Sequence, residues 1–446
     1  MRLHLALLFS AALLACSDSS GEGGAGGQGG SGEPPPAIAF PEMGSLVSPS
    51  GKDSFRFGAS TAATQIEDQN ENTDWWWFTL PVEEGGVGKF TPVGDASRGY
   101  TLALEDVDLL VELGVDSYRF SVEWARIEPQ RDVIDEDALA HYDAVIDALI
   151  DAGIRPMITV HHFSNPVWVD DPRDLDCVAR PSDTNLCGYG HPEGGPLIVE
   201  EMREHAALLA TRFGDRVDEW GTVNEPVNYL LASYGIGSFP PGKSSILSEA
   251  SLLGEFMPVV RDFLAMHGAI YGAIKENDTT DADGDGSDAD VGLTLSVGAW
   301  VPSRQNQPSE DPEDVAARDR LVYVYHHMFV DAARSGFVDM DLDQVAETEI
   351  DGLAGTIDWL GVQYYFRSGV SGQNAVVPVL NLTPCFGTID LGSCLSPIDG
   401  DKTKCVPSMK YEYYEPGIYE VLMDFADRWP DLPLVVSESG IATETG

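Results

Sequence analysis

Residues 217–226 read VDEWGTVNEP, and this stretch decides the fold. A short run rich in Val, Trp and Thr ends at once in Asn224, Glu225 and Pro226, so a strand-like apolar segment is followed by polar residues. In (β/α) barrels the functional side chains lie at the carboxyl ends of the strands. The stretch therefore predicts a buried strand with a polar site at its end.

Six further runs of this kind are spaced along the chain from about Ser54. They are FRFGAS (55–60), DSYRFSV (116–122), RPMITV (155–160), VGLTLSV (291–297), DWLGVQYY (358–365) and PLVVSE (433–438). Between them, apolar residues recur at helical spacing over 103–113, 138–152, 198–213 and 252–275. This alternation predicts an α/β fold of the (β/α)8 TIM-barrel type. A doubly wound sheet is the alternative, but no Gly-rich phosphate-binding turn follows the first strand.

The composition excludes two classes of protein. Among 446 residues, 26 Lys and Arg oppose 73 Asp and Glu, which gives a formal net charge of −47. Such a surface repels a polyanion, so we expect no nucleic-acid partner. The hydrophobic fraction of 43% is too high for a mostly disordered chain.

The first 16 residues have the proportions of an export signal. Arg2 precedes an apolar stretch over 3–14, and LLAC (13–16) resembles the lipobox of bacterial lipoproteins. We expect cleavage before Cys16 and lipidation of its thiol; an ordinary signal peptide is the alternative. Residues 17–37 are rich in Gly, Ser and Pro and predict a flexible tether to a barrel domain over 38–446. The expected location is the bacterial cell envelope or the medium, with a membrane contact only through the lipid.

The five remaining cysteines lie in two polar stretches of a chain expected to be exported, where disulfides form readily. We expect a Cys177–Cys187 disulfide and one further bond among Cys385, Cys394 and Cys405. A zinc site is the alternative, but the sequence has no close Cys-x-x-Cys pair with neighbouring histidines.

Two of the predicted strands end in a glutamate. The fourth runs into TVNEP (222–226), which contains Glu225, and the seventh into VSESG (436–440), which contains Glu438. Strands four and seven lie on opposite sides of an eight-stranded barrel, so we expect the two carboxylates to face each other. Cleavage of a glycosidic bond needs one carboxyl group to protonate the leaving oxygen and another to attack or to activate water. The pair therefore predicts a glycoside hydrolase.

Five motifs in order resemble glycoside hydrolase family 1, the retaining β-glucosidase family. They are FRFGASTAATQIED (55–68), DSYRFSVEWARIEP (116–129), ITVHHFSNPVW (158–168), TVNEP (222–226) and VSESG (436–440). The resemblance extends from about residue 54 to 442. It implies a β-glycosidase that cleaves β-glucosides, β-galactosides or small β-linked oligosaccharides through a covalent glycosyl-enzyme intermediate, with no required cofactor.

The resemblance also implies a role for each site residue. Glu225 is the expected general acid/base and Glu438 the expected nucleophile. Arg119 is expected to keep Glu438 ionised, and Tyr365 is expected to donate a hydrogen bond to it. The expected contacts to the sugar hydroxyls are Gln65, His162 and Asn224.

Three features depart from the family pattern. Gln363 stands where the family has Asn, and Ser439 replaces the Asn that follows the nucleophile. Both substitutions keep a polar group, so we expect altered geometry and preserved chemistry. The third is the absence of a readable eighth strand after PLVVSE. We therefore expect a C-terminally incomplete barrel that is open between FRFGAS and PLVVSE, and a chain that is unstable or weakly active alone.

An acidic stretch, DADGDGSDAD (281–290), precedes the fifth strand. Asp at alternate positions followed by Gly is the first half of a calcium-binding loop, but Gly292 stands where such a loop has its final Glu. The sequence favours equally a structural calcium and a solvated acidic turn. The expected calcium ligands are Asp281, Asp283, Asp285 and Asp290.

Two other functions share these motifs. One is a non-catalytic or weakly active carbohydrate-binding protein on an incomplete barrel. The other is a transglycosylase, which forms the same covalent intermediate and differs only in the acceptor. Hydrolysis of a chromogenic β-glucoside separates the first of these from an enzyme.

Overall fold

The computed structural model describes residues 55–441, apart from 176, 178–179, 247, 306, 378, 386–404 and 407–410. Seven parallel strands form its central sheet and follow one another in chain order. They are β1 (Gly58–Ser60), β2 (Ser117–Ser121), β3 (Arg155–His161), β4 (Glu219–Asn224), β5 (Asp290–Arg304), β6 (Trp359–Ser371) and β7 (Leu434–Ser439). Each coincides with a strand predicted from the sequence.

Helices connect the strands. They are α1 (Ala63–Ile66), α2 (Asp74–Thr79), α3 (Ala103–Leu113), α4 (Trp124–Ile127), α5 (Glu136–Asp151), α6 (Gly194–Phe213), α7 (Pro226–Leu230), α8 (Glu249–Ser251), α9 (Met257–Asn277), α10 (Pro312–Val322), α11 (Met328–Ser335) and α12 (Pro416–Arg428). Turns of π-helix extend α7 over Leu231–Gly235, join α8 to α9 over Leu252–Phe256, and join α10 to α11 over Tyr323–His327.

The helix α5 illustrates how the sequence determines where a helix begins and which of its faces is buried. Asp135 caps it, because its carboxylate accepts hydrogen bonds from the first backbone N–H groups of the helix. Leu139, Tyr142, Ile146 and Leu149 recur every three or four residues and are all buried. This stripe packs into a hydrophobic core that the sheet and the surrounding helices share.

Short two-residue strands lie outside the central row, at Gln307–Pro308, Phe337–Val338, Thr348–Glu349, Thr383–Pro384, Cys405–Val406 and Tyr411–Glu412. A 3-10 turn covers Val82–Glu84. Among the helices of the described ranges, none is both long enough and apolar enough to span a bilayer.

The sheet curls but does not close. β1 pairs with β2, β7 pairs with β6, and within the residues described no ladder of hydrogen bonds joins β1 to β7. Parts of these two strands nevertheless approach each other to within 8 Å between Cα atoms. The expected open side between FRFGAS and PLVVSE is therefore present as an unpaired seam.

The predicted Cys177–Cys187 disulfide is confirmed, with a Cα–Cα distance of 5.3 Å. Cys385 is also disulfide-bonded. Cys394 and the side chain of Cys405 lie outside the described part of the chain, so the choice of partner stays a prediction. Cys16, the signal segment and the tether lie outside it as well.

Candidate active site

The carboxyl ends of four strands carry the predicted catalytic group. Arg119 lies in β2, Asn224 ends β4, and Glu438 lies in β7 directly opposite Gln363 of β6. Glu225 follows β4 immediately. Because the strands are parallel, these ends meet at one edge of the sheet.

The Glu438 carboxylate is held by three donors. Arg119 donates from Nη1 to Oε1 at 2.5 Å, and Gln363 donates from Nε2 to the same oxygen at 2.9 Å. The Tyr365 hydroxyl donates to the other oxygen, Oε2. The Glu438 side chain is 20% exposed, so one face of a fixed carboxylate remains open. This arrangement suits an ionised, oriented nucleophile.

Tyr365 stays a donor throughout the neutral range. Its burial, together with the nearby charge of Glu438, raises the pKa of its hydroxyl well above the ordinary value of 10. The proton on Tyr365 is therefore retained and points at Glu438.

Asn224 is fixed by its side-chain oxygen. Oδ1 accepts from Nη2 of Arg119 at 2.6 Å, from Nε2 of Gln363 at 2.7 Å and from the Thr294 hydroxyl at 2.9 Å. Three donors on the oxygen assign the amide orientation, which leaves Nδ2 as the group that can meet a substrate hydroxyl.

Glu225 occupies a different environment. The residue is 9% exposed, its backbone N–H donates to the Thr294 carbonyl at 2.9 Å, and Nδ2 of Asn228 donates to Oε2 at 3.0 Å. Burial raises the pKa of this carboxyl to about 7, and the charge of Glu438 adds to the rise, while Asn228 and Arg119 oppose it. A carboxyl group with this pKa can carry a proton near neutrality and release it later.

Comparison with known proteins agrees with this geometry. The sequence profile of Glycosyl hydrolase family 1 matches residues 50–446. The chain belongs to this family. It is therefore an O-glycosyl hydrolase, and the predicted family 1 assignment is confirmed.

Relatives within family 1 cover most of the chain. A β-galactosidase of Pyrococcus woesei is 28% identical over 87% of this chain and 81% of its own length. β-Glucosidase 25 of Oryza sativa subsp. japonica is 25% identical over 87% of this chain and 75% of its own. The solved structure of a β-glycosidase from Pyrococcus horikoshii is 25% identical, with a TM-score of 0.68 over 91% of this chain and 77% of that one. The predicted (β/α)8-type fold is confirmed by this likeness.

The predicted sugar contacts His162 and Gln65 differ in their burial. His162 is buried beside the Phe163 ring with a centroid distance of 5.2 Å, and its Nδ1 has no hydrogen-bond partner among the described residues. Burial and the charge of Arg119 lower the pKa of His162 well below 6.5, so its ring is neutral. Gln65 is exposed on α1 and, among the described residues, makes no hydrogen bond to the rest of the site. It follows β1, which borders the unpaired seam.

His161 behaves as a packing residue. Its Nε2 pairs with Oδ1 of Asn165 at 3.2 Å, and its ring meets Tyr229 and Phe263 edge-on. Burial lowers the pKa of His161 to about 4, so it carries no charge at neutral pH. The tryptophan run at 75–77 is half-buried on α2, and Trp75 donates to the Phe163 carbonyl at 2.8 Å.

Sequence reasoning missed three supporting residues of this site. Asn228 contacts Glu225, and its own Oδ1 accepts from the Tyr325 hydroxyl at 2.5 Å. Thr294 bonds Asn224 from β5. The spacing of three residues from Glu225 to Asn228 at the start of a helix is a usable signal. Thr294 and Tyr325 reach the site only through the tertiary fold and have no comparable signal.

The expected metal ligands lie at the opposite end of the sheet. Carboxylate oxygens of Asp281, Asp283 and Asp285 lie within 4.8 Å of one another and of Asp218, which precedes β4. Asp290 is not in that group; it begins β5, and its backbone N–H donates to the Asp218 carbonyl at 2.7 Å. Asp218 therefore lies beside three of the four predicted ligands, and Asp290 lies outside this group of carboxylates.

Proposed function

We propose that the chain is an exported retaining β-glycosidase in which Glu225 is the general acid/base and Glu438 the nucleophile. One observation carries the assignment of roles. Two neighbouring carboxyl groups lie in different environments, one buried with a raised pKa and one held by Arg119, Gln363 and Tyr365. Environments that separate the pKa values of a pair mark the acid and the nucleophile.

In the first step Glu438 attacks the anomeric carbon of the glycoside. The glycosidic C–O bond breaks, an ester bond forms to Glu438, and the proton of Glu225 passes to the leaving oxygen. The Tyr365 hydroxyl and the Arg119 guanidinium keep the attacking carboxylate in one orientation, which lowers the entropic part of the barrier.

In the second step Glu225 acts as a base. Esterification removes the negative charge of Glu438, and with it one cause of the raised pKa of Glu225. The ionised Glu225 then takes a proton from water, which attacks the same carbon and releases the sugar with its original anomeric configuration.

The proposed substrates are β-glucosides, β-galactosides or small β-linked oligosaccharides. The relatives named β-galactosidase and β-glucosidase support this class. The Nδ2 group of Asn224 and the neutral ring of His162 are the proposed contacts to the sugar bound beside Glu438. When an alcohol replaces water in the second step, the same site carries out transglycosylation.

Site-directed variants with NMR detection of the product test the mechanism. Glu438→Gln should abolish turnover, and azide should restore product formation by Glu438→Gly with inverted anomeric configuration. Glu225→Gln should lower kcat/KM about 10²- to 10⁴-fold on glycosides with poor leaving groups and much less on activated ones. Glu420→Gln, an α12 carboxylate away from the site, is the control and should keep full activity. An inverted first product from the unmodified enzyme would contradict the retaining mechanism.

A second part of the proposal concerns location. The LLAC sequence at 13–16 and the Gly-rich tether over 17–37 support attachment of the barrel to a bacterial membrane through lipidated Cys16. In a bacterial host, metabolically supplied radioactive palmitate should label the chain, and Cys16→Ser should lose both the label and the membrane fraction. Labelling that survives this substitution would exclude Cys16 as the lipid site.

A further inference from the structure

The amino-terminal face of the sheet, opposite the catalytic edge, contains an unusual buried carboxylate. Asp218 is 4% exposed, and neither of its carboxylate oxygens meets a hydrogen-bond donor among the residues that the structure describes. A buried carboxylate without donors or a cation is strongly unfavourable. Each such group in a native fold calls for an explanation, and a place in an ion-binding site is one.

The loop between α9 and β5 supplies three more carboxylates at the same place. Oxygens of Asp281, Asp283 and Asp285 lie within 4.8 Å of each other and of Asp218. Four oxygens over this span fit around one Ca²⁺ ion, for which metal–oxygen distances are about 2.4 Å. The Asp218 carboxylate, buried and unpartnered, is directed into this group.

The loop is shaped to hold its carboxylates in place. The backbone N–H of Asp285 donates to Oδ1 of Asp281 at 2.9 Å and to Oδ1 of Asp283 at 3.0 Å, and Gly286 donates to Oδ2 of Asp281 at 3.0 Å. Gly284 and Gly286 have φ values of 77° and 101°, which a residue with a side chain rarely adopts.

Arg155 contributes a positive charge to this cluster and shares it with Glu219. Arg155 bonds Oδ2 of Asp283 and lies 3.7 Å from Oε1 of Glu219. This guanidinium is hydrogen-bonded to Asp283, whereas the oxygens of Asp218 meet no hydrogen-bond donor among the described residues.

We propose that Asp218, Asp281, Asp283 and Asp285 together bind one Ca²⁺ ion. The ion links the loop before β5 to the start of β4, where the backbone N–H of Asp290 already bonds the Asp218 carbonyl. Glu225 follows the other end of β4, so the ion stabilises the barrel and takes no part in the chemistry. The proposed ligand set contains Asp218 in place of Asp290, which the sequence alone suggests.

Thermal unfolding of the purified full chain tests the site. After removal of metal with EGTA, saturating CaCl2 should raise the Tm by at least about 3 °C, because a ligand that binds only the folded state stabilises it. Asp218→Asn should abolish this rise, because it removes one of the four carboxylate ligands. An absent rise in the unmodified chain, or a full rise in Asp218→Asn, would overturn the proposal.

Two further variants are controls. They distinguish loss of the Ca²⁺ site from misfolding and from non-specific effects of ions. Asp281→Asn alters an exposed ligand, and it should weaken Ca²⁺ binding at least about tenfold when binding is followed by Tb³⁺ luminescence and displacement. Asp341→Asn is the matched control from the acidic group of Asp339, Asp341 and Asp343, whose buried Asp339 accepts three hydrogen bonds. It should keep the full Tm rise. Three results would contradict the assignment. They are a loss of the Ca²⁺-dependent Tm rise in Asp341→Asn, an unchanged Ca²⁺ affinity in Asp281→Asn, and a Tm rise with Mg²⁺ equal to that with Ca²⁺.

Discussion

At the scale of single residues, Glu225 depends on a small number of contacts. Within the described structure its carboxyl group accepts one side-chain hydrogen bond, from Asn228, whereas the Glu438 carboxylate accepts three. The pKa of Glu225 is therefore raised mainly by burial, and the hydrogen bond from Asn228 lowers it. Asn228 is in this sense a positioning and tuning residue.

We predict that Asn228→Ala moves the basic limb of the kcat/KM profile to higher pH by about 0.5 to 1 pH unit. The hydrogen bond favours the ionised form of Glu225 and contributes about 1 kcal/mol, so its loss raises the pKa of that group. The measurement is kcat/KM against pH on an unactivated β-glucoside. Tyr325→Phe removes the hydrogen bond behind Asn228 but keeps Asn228 itself, and it should move the limb less. An unmoved limb in Asn228→Ala would show that Asn228 does not tune the acid.

At the scale of elements, β6 is packed so closely that one position requires glycine. A Cβ atom on Gly361 would lie 2.4 Å from Cγ2 of Thr294 in β5 and 2.7 Å from Oγ of Ser437 in β7. Thr294 bonds Asn224, and Ser437 precedes Glu438. The close approach at Gly361 thus fixes the strands that carry the site.

Gly361→Ala should therefore lower the free energy of unfolding by about 1–3 kcal/mol, as expected for an overpacked core, and should lower kcat as well. Gly272→Ala is the matched control on α9, where a Cβ atom meets nothing within 4 Å, and it should be neutral or slightly stabilising. Urea unfolding and kcat of both variants are the measurements. Equal stability of the two would exclude close packing at β6 as a constraint.

The helices and strands were largely predictable from the sequence, because the residues that determine each of them lie within the element itself. Each strand is a short apolar run that ends in polar residues, and α3 was predicted with its observed bounds, Ala103–Leu113. The two glutamates proposed as catalytic, Glu225 and Glu438, were identified because each ends such a run. Thr294 and Asp218 were not found, because their partners are brought close only by the pairing of β4 with β5 and by the loop before β5.

At the scale of the whole molecule, buried ionisable groups set the dependence of stability on pH. Burial raises the pKa of Glu67 to about 7, of Asp74 to about 8 and of Glu225 to about 7. Because these acids bind protons more tightly when folded, stability decreases as pH rises from about 4.5 to 8. Burial lowers the pKa of His161 to about 4 and of His205 to about 3, so stability also decreases as pH falls below about 6.5.

Above about pH 6.5 the histidines no longer oppose the acids, so these shifts predict that stability decreases as the pH rises from about 6.5 to 8. The net charge of −47 adds to the decline at higher pH through self-repulsion. Urea unfolding between pH 4 and pH 9 in EGTA, at constant ionic strength, measures the profile. A stability that increases steadily from pH 6 to pH 9 would contradict the assignment of these buried groups as protonated acids.

The backbone at Glu225 also has a consequence for chemists who wish to use this barrel to make glycosidic bonds. Glu225 has a φ of 42°, in the left-handed region. Glycine adopts this region without a steric penalty, whereas alanine is strained there by about 1–2 kcal/mol. Glu438 lies in an extended strand, where glycine destabilises the fold more than alanine does. An acid/base-deficient catalyst should therefore be more stable as Glu225→Gly than as Glu225→Ala, whereas a synthase without the nucleophile should be more stable as Glu438→Ala than as Glu438→Gly.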